Sequence, residues 1–529
     1  MLMKYILLFC LWSCVECANV LFMMTYIGKS QYIMLKPIAL ELARRGHNVT
    51  VISVFKENNP PENYHQVLVD DNIWDSMGGR RPSHFTSVDL SAEERHKRFL
   101  WRGGLILNEV VLNSTKVQEF LAADNKFDVV ISEQFFQEAM YILAHKYQAP
   151  LILITSYGNC MRHNIATRNP LQLATVISEF LVVENPRSLL GRLRNMYFAM
   201  YEYFWWRFWY LKELDNLVKD YVPDLKKPVP SLYEIQQNVS LFLINSHFSF
   251  DPPTAYLPNI IEIGGVHLTP NASKLPEDLQ NILDKAENGV IYMTFGSNIQ
   301  SSKLPTDQRN AFLNVFRRLK VTVLLKWEED ELKNKPDNVV IRKWLPQKEV
   351  LAHPNVKLFI SHGGLIGTHE ALYHGVPIIG IPVYGDQYNN LLQVQESGFG
   401  KILQYHDITE ETLDKMVNEI LTNELFRMKA KEISRIFKDR PMTPLDTAIY
   451  WIEYVIRNKG AVYMKNPALD MSWIEYFMID ICGLVLLIVV MLYYLLRFGA
   501  LITLRLFKGL FKNHGKNKKG ISNGKVKYS

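Results

Sequence analysis

Between Trp344 and Gln387 the chain reads WLPQKEVLAHPNVKLFISHGGLIGTHEALYHGVPIIGIPVYGDQ, and most of the side chains able to do chemistry fall inside these 44 residues. An apolar strand over 357–360 runs into Ser361-His362-Gly363-Gly364, and a helix is expected from about Gly367 and Thr368. Small residues let main chain approach an anion closely, and the N–H groups at a helix start point at it. His362 adds a donor at the same place. Glu370 follows about one helical turn on, where a carboxylate can accept from two sugar hydroxyls. Trp344 offers a flat face for a base, and Asp386-Gln387 offer acceptors and donors for a sugar. In order, these residue types suit a nucleobase, a ribose, a diphosphate and a hexose.

Strands and helices alternate through the body, which implies parallel sheets built from βα units. In the first half the apolar runs 19–26, 48–54, 128–132, 151–155 and 241–245 read as strands, with a helix expected over 32–45. A Pro- and Asn-containing connector over 267–275 precedes a second set at 290–295, 321–326, 339–341, 357–360 and 376–380. Two Rossmann-like domains facing a cleft are expected, over 18–270 and 271–460. Such sheets bind ligands beyond the carboxyl ends of their strands, and Gly296-Ser297 and the His362 turn stand at two of those ends.

The 529 residues carry a formal net charge of +6, but the stretch 497–529 holds nine Lys or Arg and no acid. The remainder is therefore net acidic, which removes the case for nucleic-acid binding by the folded part. The first 17 residues, with Lys4 and an apolar run over 5–12, read as a signal peptide. Residues 477–496 are apolar apart from Asp480 and long enough to span a bilayer, and the basic tail that follows places the body in the lumen. The closing KVKYS resembles the dilysine retrieval signal of endoplasmic-reticulum proteins. Of five cysteines only Cys160 lies in the soluble body, so neither an internal disulfide nor a cysteine metal cluster is expected. Sequons stand at Asn48, Asn113, Asn238 and Asn271; the last three are the candidates, because Asn48 falls in a strand expected to be buried. The aromatic stretch 189–211 reads either as core helices or as a surface that touches the membrane and admits greasy acceptors.

The ordered 344–387 segment resembles the signature of the UDP-glycosyltransferases, the animal glucuronosyltransferase and glucosyltransferase family. The resemblance implies a GT-B fold, a UDP-sugar donor and a small lipophilic acceptor, with no metal cofactor; the chain holds no Asp-x-Asp pair. It further implies that Trp344 stacks on uracil, Gln347 bonds uracil or ribose, and Ser297, His362, Gly364 and Thr368 hold the diphosphate. Glu370 would take the ribose hydroxyls, and Asp386 and Gln387 the hexose. Ile366 replaces an Asn common in relatives, and His369 is taken as incidental.

At the catalytic end the pattern breaks. Family members invert the anomeric centre with a His base held by a carboxylate. Counting back from Arg45-Gly46-His47 puts that His at Gln31, and a carboxamide has no useful basicity. The partner carboxylate falls at Glu133, more often an Asp in relatives. His47 is a structural helix–strand corner and not a substitute base. Three readings stay open: Glu133 or a water is a weak base, the acceptors are already nucleophilic, or the chain binds UDP-sugar or a lipophilic ligand and transfers nothing. In the last case it would act as a homo- or hetero-oligomeric partner of active relatives.

Overall fold

The computed structural model describes residues 17–69, 73, 85, 88–183, 185–269 and 274–517, with side chains to 511. The expected signal segment, Asn271 and the KVKYS end lie outside these residues.

Two parallel sheets form the body. The first has the order β3-β2-β1-β4-β5-β6-β7, from β1 (Asn19–Met24), β2 (Asn48–Ser53), β3 (Tyr64–Leu68), β4 (Val129–Glu133), β5 (Leu151–Thr155), β6 (Leu241–Ile244) and β7 (Ile260–Glu262). The second has the order β10-β9-β8-β11-β12-β13, from β8 (Val290–Thr294), β9 (Thr322–Lys326), β10 (Val339–Arg342), β11 (Val356–Ser361), β12 (Ile378–Gly380) and β13 (Gly400–Ile402). Helices cover both faces, so the strands are apolar on both sides, not alternating. Val20, Phe22 and Met24 of β1 pack into one core and Leu21 and Met23 into the opposite one. The second sheet divides in the same way, Val290 and Tyr292 against Ile291 and Met293. Strand order reverses direction between β1 and β4 and between β8 and β11, the places where such sheets open a ligand crevice.

Seven helices matter for the site. Helix α1 (Lys29–Arg44) follows β1, and α2 (Leu189–Trp205) carries the aromatic stretch. Then come α3 (Gln347–Ala352), α4 (Leu365–His374), α5 (Gln387–Glu396), α6 (Pro444–Arg457) and α7 (Ile479–Asn517). Helix α1 starts three residues before the expected position, because the Tyr32 N–H already bonds the Gly28 carbonyl at 3.2 Å. Gln31 thus sits in the first helical turn instead of in the turn before it. Helix α4 likewise starts early, with Gly364 as its N-cap.

Helix α6 belongs by sequence to the expected 271–460 domain, yet Ala448, Ile449, Ile452 and Val455 pack into the core of the first sheet. Arg45 holds Asp446 at 2.8 Å, and buried His47 lies 3.5 Å from Glu453, which gives that histidine the structural corner role expected of it.

Helix α2 has one buried face and one exposed apolar face. Phe198 and Ala199 are buried, while Leu190, Leu193, Tyr197, Met200 and Phe204 are exposed. Asn48 is also exposed, contrary to the expectation that burial would hide it: it opens β2 at the sheet's rim, where its amide donates to the Asn19 side chain at 2.9 Å. Asn113 and Asn238 are exposed as well, though Asn238 is engaged by Lys465.

The body closes at Asn466, and a separate unit begins at Pro467. In that unit, Ile479–Phe511 is long and apolar enough to cross a membrane.

Candidate active site

The carboxyl ends of β8 and β11 meet at two turns that require glycine. Gly296 and Gly363 adopt φ of +82° and +84°, a region costly for side chains with a Cβ. Leu391 packs against Gly363, and the His362 ring fills the space beside Gly296 and Gly364. A Cβ on Gly296 would stand 2.5 Å from His362 Cε1, and one on Gly364 would stand 2.7 Å from Nε2. The first internal bond of α4 runs from Thr368 N–H to the Gly364 carbonyl at 2.9 Å, and no side chain caps the helix. Of the preceding N–H groups, Leu365 donates to Asp386, which leaves those of Ile366 and Gly367 to meet an anion beside the imidazole. Thr368 is buried and donates its hydroxyl back to Gly364 at 3.0 Å. Ser297 is half-buried with its hydroxyl 3.5 Å from Asn298.

Glu370 lies inside a small polar cluster. The Gln347 amide donates to it at 2.5 Å, His267 Nε2 stands 3.3 Å away, and the Tyr292 hydroxyl donates to Gln347 at 3.3 Å. Trp344 remains 46% exposed, presenting its ring. Asp386 precedes α5; burial pushes its carboxyl up to about 6, against the pull of the Asn390 amide and the Leu365 N–H. It is therefore an acceptor at neutral pH. Gln387 is only partly free for a sugar: its carbonyl accepts from the Val383 and Tyr384 N–H groups at 2.8 and 3.0 Å, leaving the NH2 end for a ligand. His369 is buried between Phe250 and Phe437. Ile366 packs against the first sheet's core, so it is an apolar contact between the halves.

The first sheet contributes Gln31 and Glu133 from its own crevice, at neighbouring strands β1 and β4. Among the described residues they share no hydrogen bond. Gln31 accepts from Ser30 at 3.0 Å and folds back over Gly28. Glu133 is fully buried and accepts from Gln137 at 3.0 Å, while Gln137 is tied to the Thr25 N–H at 3.1 Å. Burial pushes the Glu133 carboxyl up to about 8, against the Ser156 hydroxyl and the Gln137 amide. Tyr26, Tyr157 and Tyr384 close around this carboxyl and Asp386, and burial raises all three hydroxyls.

Gln137, the three tyrosines and His267 were not readable as site residues, since none stands in a spaced motif.

A protonated, sealed Glu133 contributes in a definite way to stability. Its folded value lies above the unfolded one, so the folded state keeps a proton that the unfolded state loses between about pH 4.5 and 8. Stability from this group is fully present below that window and is lost as pH rises through it. Glu133→Gln is expected to raise Tm by roughly a few degrees at pH 8 and by less at pH 5. A pH-independent Tm change in scanning fluorimetry contradicts this account.

Comparison with known proteins agrees with the geometry. Residues 19–514 match the family model described as UDP-glucoronosyl and UDP-glucosyl transferase. The chain is 33% identical to the UDP-glycosyltransferase UGT5 of Dactylopius coccus, over 92% of each chain. It is 27% identical to the human UDP-glucuronosyltransferase 2B15, over 90% of this chain and 91% of the other. In fold it is similar to a UDP-glucosyltransferase from Polygonum tinctorium capable of glucosylating indoxyl, with a TM-score of 0.54, 17% identity, and 84% and 99% of the two chains covered. The two facing sheets are thus a GT-B body, and the chain belongs to the family of UDP-glucuronosyl and UDP-glucosyl transferases.

Proposed function

We propose that this chain moves glucose or glucuronate, with inversion, from a UDP-sugar to small lipophilic acceptors that are already nucleophilic: acidic phenols, carboxylates and amines. The observation that carries this reading is the pair of positions where a base belongs. Gln31 cannot take a proton, and Glu133 is sealed and protonated at neutral pH. An acceptor arriving as phenolate or carboxylate brings no proton to remove. Its oxygen attacks the anomeric carbon opposite the nucleotide, the carbon–oxygen bond to UDP breaks, and the electron pair stays on the diphosphate. His362 and the main-chain N–H groups at the start of α4 meet that charge in place of a metal ion. Trp344 and Gln347 hold the uracil, Glu370 the ribose, and Asp386 with the Gln387 amide the hexose.

The reading extends to place. Helix α7 anchors the chain in the endoplasmic-reticulum membrane with its body lumenal and its basic tail cytosolic, and Asn113 and Asn238 carry glycans.

A microsomal assay with UDP-glucose and UDP-glucuronate tests this against phenols of graded acidity, carboxylic acids, amines and steroid alcohols. Rates should rise with phenol acidity, and steroid alcohols should be the poorest acceptors. UDP binding without product from any acceptor would replace the transferase with a non-transferring partner of active relatives. Failure to bind UDP at all overturns the donor site itself.

A further inference from the structure

Lys29 opens α1, two residues before Gln31, on the first half of the body. Its side chain crosses the cleft, and Nζ stands 3.7 Å from the ring centroid of Trp344 on the second half. The indole face offered to a nucleobase is therefore covered by a cation. That cation has no anion of its own. Among the described residues no carboxylate pairs with Lys29, whereas its neighbours Lys326 and Lys36 are paired with Glu328 and Glu57. Partial burial and the two neighbouring lysines pull its pKa down. An unpaired ammonium beside two further cations, at the mouth of a cleft that takes a diphosphate, awaits negative charge.

We propose that Lys29 is a donor-site residue that exchanges partners: it leaves Trp344 and turns to the diphosphate when a nucleobase takes the indole face. This rests on the donor site described above. The exchange has two consequences. Uridine alone must displace a cation from the ring and gains nothing for it. UDP displaces the same cation and gives it a charged partner, so the first half reaches the leaving group and closure follows nucleotide binding.

The test uses the full chain in detergent, with calorimetry of uridine, UDP, UDP-glucose and UDP-glucuronate. Lys29→Met keeps the stem and removes the charge at an exposed position. UDP and UDP-glucose affinity should fall about tenfold or more, as for loss of a charge-assisted contact, while uridine affinity stays level or rises. Lys29→Arg should restore UDP binding. Equal changes for uridine and UDP, in either direction, or no change for either, overturn the proposal. So does a loss confined to UDP-glucuronate, which would put the ammonium on the hexose. Wild-type protein that binds no UDP fails the donor site instead, and is thereby told apart.

Discussion

Gln31→His is expected to raise turnover with weakly acidic phenols by about 10²-fold, within the usual range for a gained general base. Acidic phenols and carboxylates, which need no such help, should change by less than about threefold. The physical ground is the location of Gln31 in the first turn of α1, directly beyond β1 at the strand-order reversal. An imidazole there titrates near or below its ordinary value, since a helix start disfavours its cation. The pH–rate profile with weak phenols should then show an acid limb, with rate falling as pH drops through about 6.5 or lower, that the native chain lacks. Glu133 limits the gain: it is held by Gln137 and must release that amide to orient a new imidazole. Glu133→Gln in the Gln31→His background should remove most of the increase while leaving rates with acidic phenols nearly unchanged. Equal acceleration of acidic and weak phenols would show that the substitution acts on something other than proton removal.

His362→Ala should lower kcat by about 10²- to 10³-fold with every acceptor, the size expected when one donor to a developing oxyanion is lost. UDP affinity should weaken as well, and the melting temperature should hardly move. The ring sits in space that Gly296 and Gly364 leave open, so its removal uncovers glycine main chain and breaks no apolar core. His362→Gln keeps a donor at nearly the same place and should recover part of the rate. A His362→Ala protein with native kcat would show that the imidazole is not aimed at the diphosphate.

The central strands of both halves were legible because they are buried on two faces and read as unbroken apolar runs, whereas β3, β7 and β13, at the sheet edges and only partly buried, were missed. The 344–387 segment was legible for another reason: its residues act in the order in which they occur. What escaped is what depends on distant pairing. The pattern of α6 shows an apolar face but not which sheet it covers. Nothing near Gln137 marks it as the partner of Glu133, and Lys29 resembles any helix-start lysine until Trp344 is brought opposite it. Asn48 was misjudged because a strand's first residue has a side chain that can leave the sheet at its rim. The early start of α1 was missed because Gly28 is an N-cap without a side chain to signal it.

The return of α6 to the first sheet has a practical bearing on any attempt to make a secreted, anchor-free form. Cutting upstream of Pro444 would strip Ile449, Ile452 and Val455 from against α1 and β6 and leave a greasy floor open to water. The chain must run to Asn466, where the body closes, before it can be severed from its anchor.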